Sequence, residues 1–531
     1  MEQYLHGAEV VQIDSGPRTI TTTSSSVIGL VGVAPKGPVN TPVLIHGSKR
    51  EAVDLFGSPG YGFSIPDALD GIFDQCGALV VVINVADPDD ETQKTIVAAA
   101  PMAFSAAGKI QLPKVAISAV ALTGPVTAPM YFSGDTLALP EAATAPVIKS
   151  ADGATTYVLD TDYTLADTTI TIKAGGAIVA NQQVLVTYTV AGITADVDFT
   201  VDADNGIITQ IAGGKLVPSC AMNVAYSYLD PTKVEITKVV GGVDGVTGQY
   251  TGVHALLSAA SAVAVTPRIL AAPGFTHQRT GGSNPVVAEL LGIAEKLRAA
   301  IIADGPNATD AAAISYRQDF GSARVYPVDP WVRVLNPVTG ATEDQPASAR
   351  VAGLIAKSDN DRGFWWSPSN QEIAGIVGTS RPVEFAMGDV SCRANVLNAN
   401  QVATIIYQGG YRLWGNRSCS IDPKWAFLSV RRTADMINDS LLRAHLWAVD
   451  RAITKTYLSD VLEGVNEYIR HLTAIGAVLG GRAWADPELN TPDQIADGKV
   501  YIDFDFTPPF PAEHIIFRSH LVNDYITEVF K

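Results

Sequence analysis

The stretch SSSVIGLVGVAPKGP, Ser24 to Pro38, places glycines and a lysine at the end of an apolar run. A phosphate-cradling loop needs G-x-x-x-x-G-K-[ST], with the lysine after the glycine and a hydroxyl for magnesium. Here Lys36 precedes Gly37, and Pro38 stands where the hydroxyl belongs and brings no N–H. The stretch therefore reads as a buried strand and its exit turn. A second candidate is Gly378-Thr379-Ser380, where a serine nucleophile would need a histidine base oriented by a carboxylate. His254 and His277 precede Ser380, but neither lies in an H-G-T-H-like setting, and Arg381-Pro382 follow where small residues are expected. The carboxylates of SDNDRG, Ser358 to Gly363, lack the further ligands and the bidentate glutamate of a calcium loop and read as a helix-ending turn. The aromatic run Phe364 to Trp366 reads as core or interface.

Eight histidines show no metal-ligand spacing, and Cys76, Cys220, Cys392 and Cys419 form no C-x-x-C pair. No catalytic, cofactor-binding or metal-binding residue is expected, and no cofactor. The thiols suit a reducing compartment better than a disulfide framework. With a net charge of -17 and no basic run, the chain has no footprint for direct nucleic-acid binding. No apolar stretch reaches membrane-span length, and the start MEQYLHGAEVVQIDSGPR lacks the features of a signal peptide.

The 531 residues are too many for one core, and only 17% of them are charged, so much surface must be hidden in cores or against neighbouring subunits. Residues 1–22 read as an N-terminal arm. From 23 to 95 and again from 238 to 415, apolar strands alternate with helices: an α/β core. VIGLVGVAP and LVVVINVADP are continuous apolar runs suited to strands buried on both faces. Between them, SIPDALDGIFDQCG predicts a helix with Ser64 as N-cap. Residues 96–237 change character: Thr, Ala, Val and Gly dominate and no arginine occurs. Val184, Val186, Tyr188 and Val190 alternate onto one face, as do Val224, Tyr226 and Tyr228, which predicts an all-β inserted domain of sandwich or barrel type.

Residues 416–531 form an α+β C-terminal domain. The stretch Arg431 to Leu479 is mainly helical, with Ile437, Leu441, Leu442, Leu446, Val449 and Ile453 at near-helical spacing. Asp435 and Asp439 are assigned to first turns, where they complement the helix dipole. Near the end, Ile502, Phe504 and Phe506 share one face of a strand that prolines 508, 509 and 511 stop, and HIIFRSHL starts another. Residues from about 498 to 531 form a terminal strand arm. Of the arginines, only Arg18 and Arg50 precede Arg268 and nineteen lie from there onward, so charged contacts concentrate in the second half.

Lone strands such as Ala8–Asp14, carrying Val11 and Ile13, are marginal alone and stable when added to a neighbour's sheet. Fourteen extended residues reach about 45 Å, enough to cross to an adjacent subunit. Val11, Ile13, Ile20, Ile502, Phe504 and Phe506 are the candidates for such exchange. Head-to-tail exchange does not close and gives helical polymers; intramolecular pairing of the same strands is the competing arrangement.

SGPRTITTTSSSVIGLVGVAPKGP resembles the N-terminal region of contractile tail sheath proteins of bacteriophages. GGVDGVTGQYTGVHAL, PRILAAPGF, SARVYPVDPWV, RVAGLIAKSDNDRGFWWSPSN, NVLNANQVATIIYQGGYRLWGNRS and FLSVRRTADMINDSL match the same pattern in order. The resemblance covers roughly 27–95 and 238–531. It implies a subtilisin-like fold for the core, without catalysis, and an outer position for the insertion. It further implies a structural subunit that stacks as hexameric rings around a tail tube. Contraction would drive that tube through the host envelope for genome ejection, with no nucleotide consumed. The implied partners are further copies of the chain, the tail tube protein, and baseplate and tail terminator proteins, in a virion tail assembled in the host cytoplasm. The C-terminal domain would face the tube, with Arg431, Arg432, Arg443 and Arg451 as candidate contacts. The alternatives are the sheath of a tailocin or other injection system, and, from another class, a serine hydrolase with a β-domain.

Overall fold

The computed structural model describes residues 20–140 and 143–530. Its centre is a six-stranded sheet in the order Val325–Val328, Ala300–Asp304, Ile269–Ala271, Ile28–Gly32, Leu79–Asn84 and Val43–His46. All neighbours are parallel except the edge strand Val43–His46. The opening stretch is thus a central strand, buried at all five positions. Its alternate residues feed two cores: Ile28 and Leu30 pack on one face of the sheet, Val27 and Val31 on the other. Gly29 is required by close approach, since a Cβ there would lie 2.9 Å from both Leu270 Cδ2 and Pro267 Cβ.

The helix Ser64–Phe73 forms where expected, but its first residue is not the cap. The Ser64 hydroxyl instead accepts the Val33 N–H at 3.0 Å and ties the helix to the exit of the central strand. Buried beneath the sheet runs the helix Ser348–Arg362, whose N-cap Ala347 supplies no side-chain cap. Asp304, at the end of its strand, performs that task from a distance. Its carboxylate accepts the Ser348 N–H at 2.7 Å and the Ser348 hydroxyl at 2.6 Å. Complete burial pushes the Asp304 carboxyl up to about 6, against the pull of those bonds.

The inserted domain is all β, as the alternation predicts. It leaves the core at the strand Lys94–Ala103 and returns along Ala221–Leu229, which pair antiparallel. A five-stranded sheet and two three-stranded sheets enclose a separate apolar core. Val184, Val186, Tyr188 and Val190 all point inward. The second alternation fails at Tyr228. Register shifts in the Ala221–Leu229 strand turn Ser227 inward, where it bonds Ser118 at 2.8 Å, and leave Tyr228 half-buried. Leu229 then enters the core of the α/β domain.

The C-terminal domain packs the helices Leu428–Ala444 and Lys455–Ala474 against a two-stranded sheet, Gly480–Ala485 with Ile502–Thr507. The apolar spacing through Ile453 does not make one helix. The chain breaks after Ala444, and Leu442, Leu446 and Val449 are exposed. HIIFRSHL forms no strand in this chain and lies exposed.

Candidate assembly site

The C-terminal domain is fastened to the α/β core by buried charge. Because its helix starts at Leu428, Asp435 and Asp439 sit mid-helix rather than in the first turn. At (i, i+4) spacing they share one face, and that face meets arginines of the core. Arg324 donates to both Asp435 oxygens, at 2.6 and 3.1 Å. Arg268 donates to Asp439, and both partners are largely buried. Burial acts to lower the Arg324 guanidinium, but the bonds and charge of Asp435 and Glu295 outweigh it and raise the value overall. For Arg268 burial prevails over Asp439 and lowers it.

This seam decides where the four candidate tube-facing arginines stand. Arg432 is only 5% exposed and donates to Asp359 at 2.8 Å, so it is a fastening residue and not a surface one. Arg431 binds Asp435 at 3.2 Å and lies over the Trp425 ring. Arg443 spans Asp439 and the Thr266 hydroxyl, each at 2.9 Å, with half its side chain in solvent. Arg451 is exposed and stacks over Trp447. Asp359 is remote in sequence from Arg432 and nothing local announces that pair, whereas Asp435 and Asp439 stand four residues from Arg431 and Arg443, a spacing the sequence does carry.

The candidate exchange residues divide likewise. Val11 and Ile13 lie outside the described residues. Ile20 is 8% exposed and packs in its own chain with Met436, Ile437 and Tyr468. The following residues are pinned to the same helices: Thr22 to the Tyr468 hydroxyl at 3.1 Å, the Thr23 N–H to the Ser440 hydroxyl at 3.1 Å. Ile502, Phe504 and Phe506 share a face as expected and pack against this cluster. Their strand pairs within the chain from Ile502↔Ala485 to Thr507↔Gly480. On the partner strand the Asn466 side chain accepts the Ala483 N–H at 2.8 Å and donates to its carbonyl at 3.2 Å, occupying that edge. Beyond the sheet the tail is held at Glu513, which accepts from Arg417 at 2.6 Å. Past that clasp, Ile515, Ile516, Phe517 and Leu521 are exposed, Leu521 completely.

The hydrolase alternative finds no support in the geometry. The Ser380 hydroxyl donates to Asn307, His254 pairs with Glu289 at 3.2 Å, and the buried His277 Nδ1 has no hydrogen-bond partner among the described residues. Burial lowers His277 below its ordinary value. The four cysteines are free thiols, and burial pushes Cys419 up to about 12. Among the described residues no helix is long and apolar enough to cross a membrane.

Comparison with known proteins bears directly on these features. Three family models match in chain order: the domain III N-terminal region of a tail sheath protein over 25–85, the phage tail sheath central domain over 248–419, and the phage tail sheath C-terminal domain over 420–521. The tail sheath protein of Burkholderia phage BcepMu is 34% identical, with 98% of each chain covered. A prophage major tail sheath protein of Pseudomonas aeruginosa is 50% identical over 56% of this chain and 75% of its own. The contracted helical sheath of the anti-feeding prophage has a similar fold, with a TM-score of 0.53 at 15% identity, covering 98% of this chain and 99% of that one. The contracted sheath of an extracellular contractile injection system gives 0.52 at 12% identity, with 98% of each chain covered. The chain belongs to the phage tail sheath protein family, whose members are structural components of contractile tails and not enzymes.

Proposed function

We propose that this contractile tail sheath subunit assembles as stacked rings of six around a tail tube, and that strand pairing between neighbouring copies holds the lattice together. The observation that supports strand pairing is the small sheet of the C-terminal domain. Among the described residues it has two strands, one edge already met by Asn466, and an adjoining tail whose apolar residues are left in solvent. An isolated two-stranded sheet is marginal, and an exposed edge favours strand addition. Val11 and Ile13 would supply a strand from one neighbour and the tail beyond Glu513 from another, while Ile502, Phe504 and Phe506 anchor the receiving sheet.

Contraction would draw on the free-energy difference between two packings of the same subunits. The buried Arg–Asp seam supports movement of the core and C-terminal domain as one body, with the arms absorbing the change. For the tube contact, Arg451 and the exposed half of Arg443 remain available, whereas Arg431 and Arg432 serve the fold. Baseplate and terminator proteins would set the two ends, with assembly in the host cytoplasm before the tail joins the virion. The finer description of the core as subtilisin-like draws support from its parallel sheet and the buried helix that begins at Ser348. The test is to remove residues 1–19, or residues 508–531, and examine polymers by electron microscopy. Loss of polymers with retained monomer fold is expected; normal polymers from both truncations would overturn strand pairing.

A further inference from the structure

The inserted domain lies wholly within the stretch 86–247 that separates two of the matched family segments. We infer that it is one β module present twice, the second copy nested inside a loop of the first, and that the nested copy is an appendage the sheath fold does not need.

The sequence pairs are plain once the strands align them. APMAFSAAGKIQLP at 100–113 corresponds to APMYFSGDTLALP at 128–140. Further on, DYTLADTTITIKAGGAIV at 162–179 corresponds to DFTVDADNGIITQIAGGKLV at 198–217. The strand pairings repeat as well. Met130 stands opposite Val184 as Met102 stands opposite Met222, and Pro129 opposite Leu185 as Pro101 opposite Asn223. Each copy has a three-stranded sheet with the same order, 136–138, 169–172, 163–166 in one and 109–111, 207–210, 199–202 in the other.

The fine geometry repeats too. In the nested copy, Asp162 accepts the Val158 N–H at 2.8 Å and the Ala177 N–H at 2.9 Å. In the enclosing copy, Asp198 accepts the Thr194 and Lys215 N–H groups, both at 2.9 Å. The glycine two residues before the second clasped amide is left-handed in both copies, Gly175 and Gly213 each at φ 84°. Ala145 and Ala119, at equivalent register, both have φ 49°, a conformation alanine rarely adopts. Independent origin would not reproduce carboxylate clasps, turns and strained alanines in one order.

The point of nesting follows from this register. Within the nested copy, a short turn at 151–155 joins the strand Ala143–Ser150 to the next element. At the equivalent point of the enclosing copy, after Leu122, the chain runs out through residues 124–191 and returns at Ile193. The nested copy is therefore entered along the strand Ile117–Tyr131, which passes from the enclosing copy into it, and is left just before Ile193, two points that a short turn like 151–155 can join. The solvent-facing turn at 151–155 is the equivalent site in the nested copy.

The test is a full chain with residues 124–191 replaced by the five-residue turn of 151–155. The expected result is a soluble subunit that polymerises like the parent, in polymers of smaller outer diameter and unchanged axial repeat. Polymers with an altered axial repeat, or a folded subunit that no longer polymerises, would overturn the dispensable role. Hydrogen exchange on intact full-length variants tests the modularity even if the excised chain fails to fold. Asp162→Ala is expected to speed exchange about tenfold within 157–190 only, and Asp198→Ala within 193–229 only. Exchange that rises equally in both copies for either variant would show a single unit and contradict the inference.

Discussion

Replacing Asp435 by alanine removes the partner of a guanidinium that cannot reach water. The Arg324 side chain is 5% exposed, and Asp435 itself is 4% exposed at its side chain. Removing one member of a buried ion pair costs about 3–5 kcal/mol, because the remaining charge stays desolvated. Two features place this site near the lower bound. Arg324 keeps Glu295 at 3.0 Å, and Arg431, the second donor to Asp435, is 21% exposed and can turn outward. We therefore expect a loss of about 3 kcal/mol, a large share of the roughly 5–15 kcal/mol that holds a domain folded. Urea denaturation of the soluble subunit, followed by tryptophan fluorescence, reads the loss. Limited proteolysis should show earlier release of the segment after residue 416. The double variant Arg324→Met/Asp435→Leu should recover most of the loss, since apolar replacement of a whole buried pair is often neutral or stabilising. A loss below about 1 kcal/mol for Asp435→Ala, the range of a surface pair, would refute the seam as a fastener. Equal damage from the double variant would locate the effect in arginine packing instead.

Other predictions follow from the same physics. The Asp304 carboxyl is raised to about 6, so its contribution is greatest below the unfolded pKa and is lost as pH rises through 6. Asp304→Asn should remove that dependence, and its stability relative to the parent should shift by about 2 kcal/mol between pH 4 and pH 7; parallel stability–pH curves would contradict it. Gly29→Val forces a branched side chain against Leu270 and Pro267 in the central strand, and should cost about 1–3 kcal/mol or more by overpacking; an unchanged denaturation midpoint would refute the close approach. Arg432→Ala should destabilise the subunit by about 3–5 kcal/mol. Arg451→Ala should alter stability by less than about 0.5 kcal/mol and weaken binding to the tube; unchanged tube binding removes Arg451 from that contact.

Much of the architecture was legible in the sequence because it rests on local pattern. Continuous apolar runs marked the parallel strands buried on both faces, and a run without arginine marked the insertion. Features that depend on remote partners were not legible. Ser64 has the right type and position for a cap, yet the Val33 N–H claims its hydroxyl. Asp435 and Asp439 read as first-turn residues because the sequence does not announce that the helix begins at Leu428, nor that Arg268 and Arg324 meet them from the core. Tyr228 breaks its alternation because a bulge shifts register by one residue, a change the side-chain pattern does not announce. The repeat inferred in the inserted domain is masked in the sequence for a different reason: the halves of the enclosing copy are far apart, and strand pairing brings them into line.

The central claim is that this chain forms a contractile sheath, and electron microscopy of the purified subunit at rising concentration, with and without its tube and baseplate, tests it most directly. The account predicts hollow helical polymers with a regular axial repeat, formed alone or on the tube. A subunit that stays monomeric under every condition, with tube and baseplate present, would contradict it.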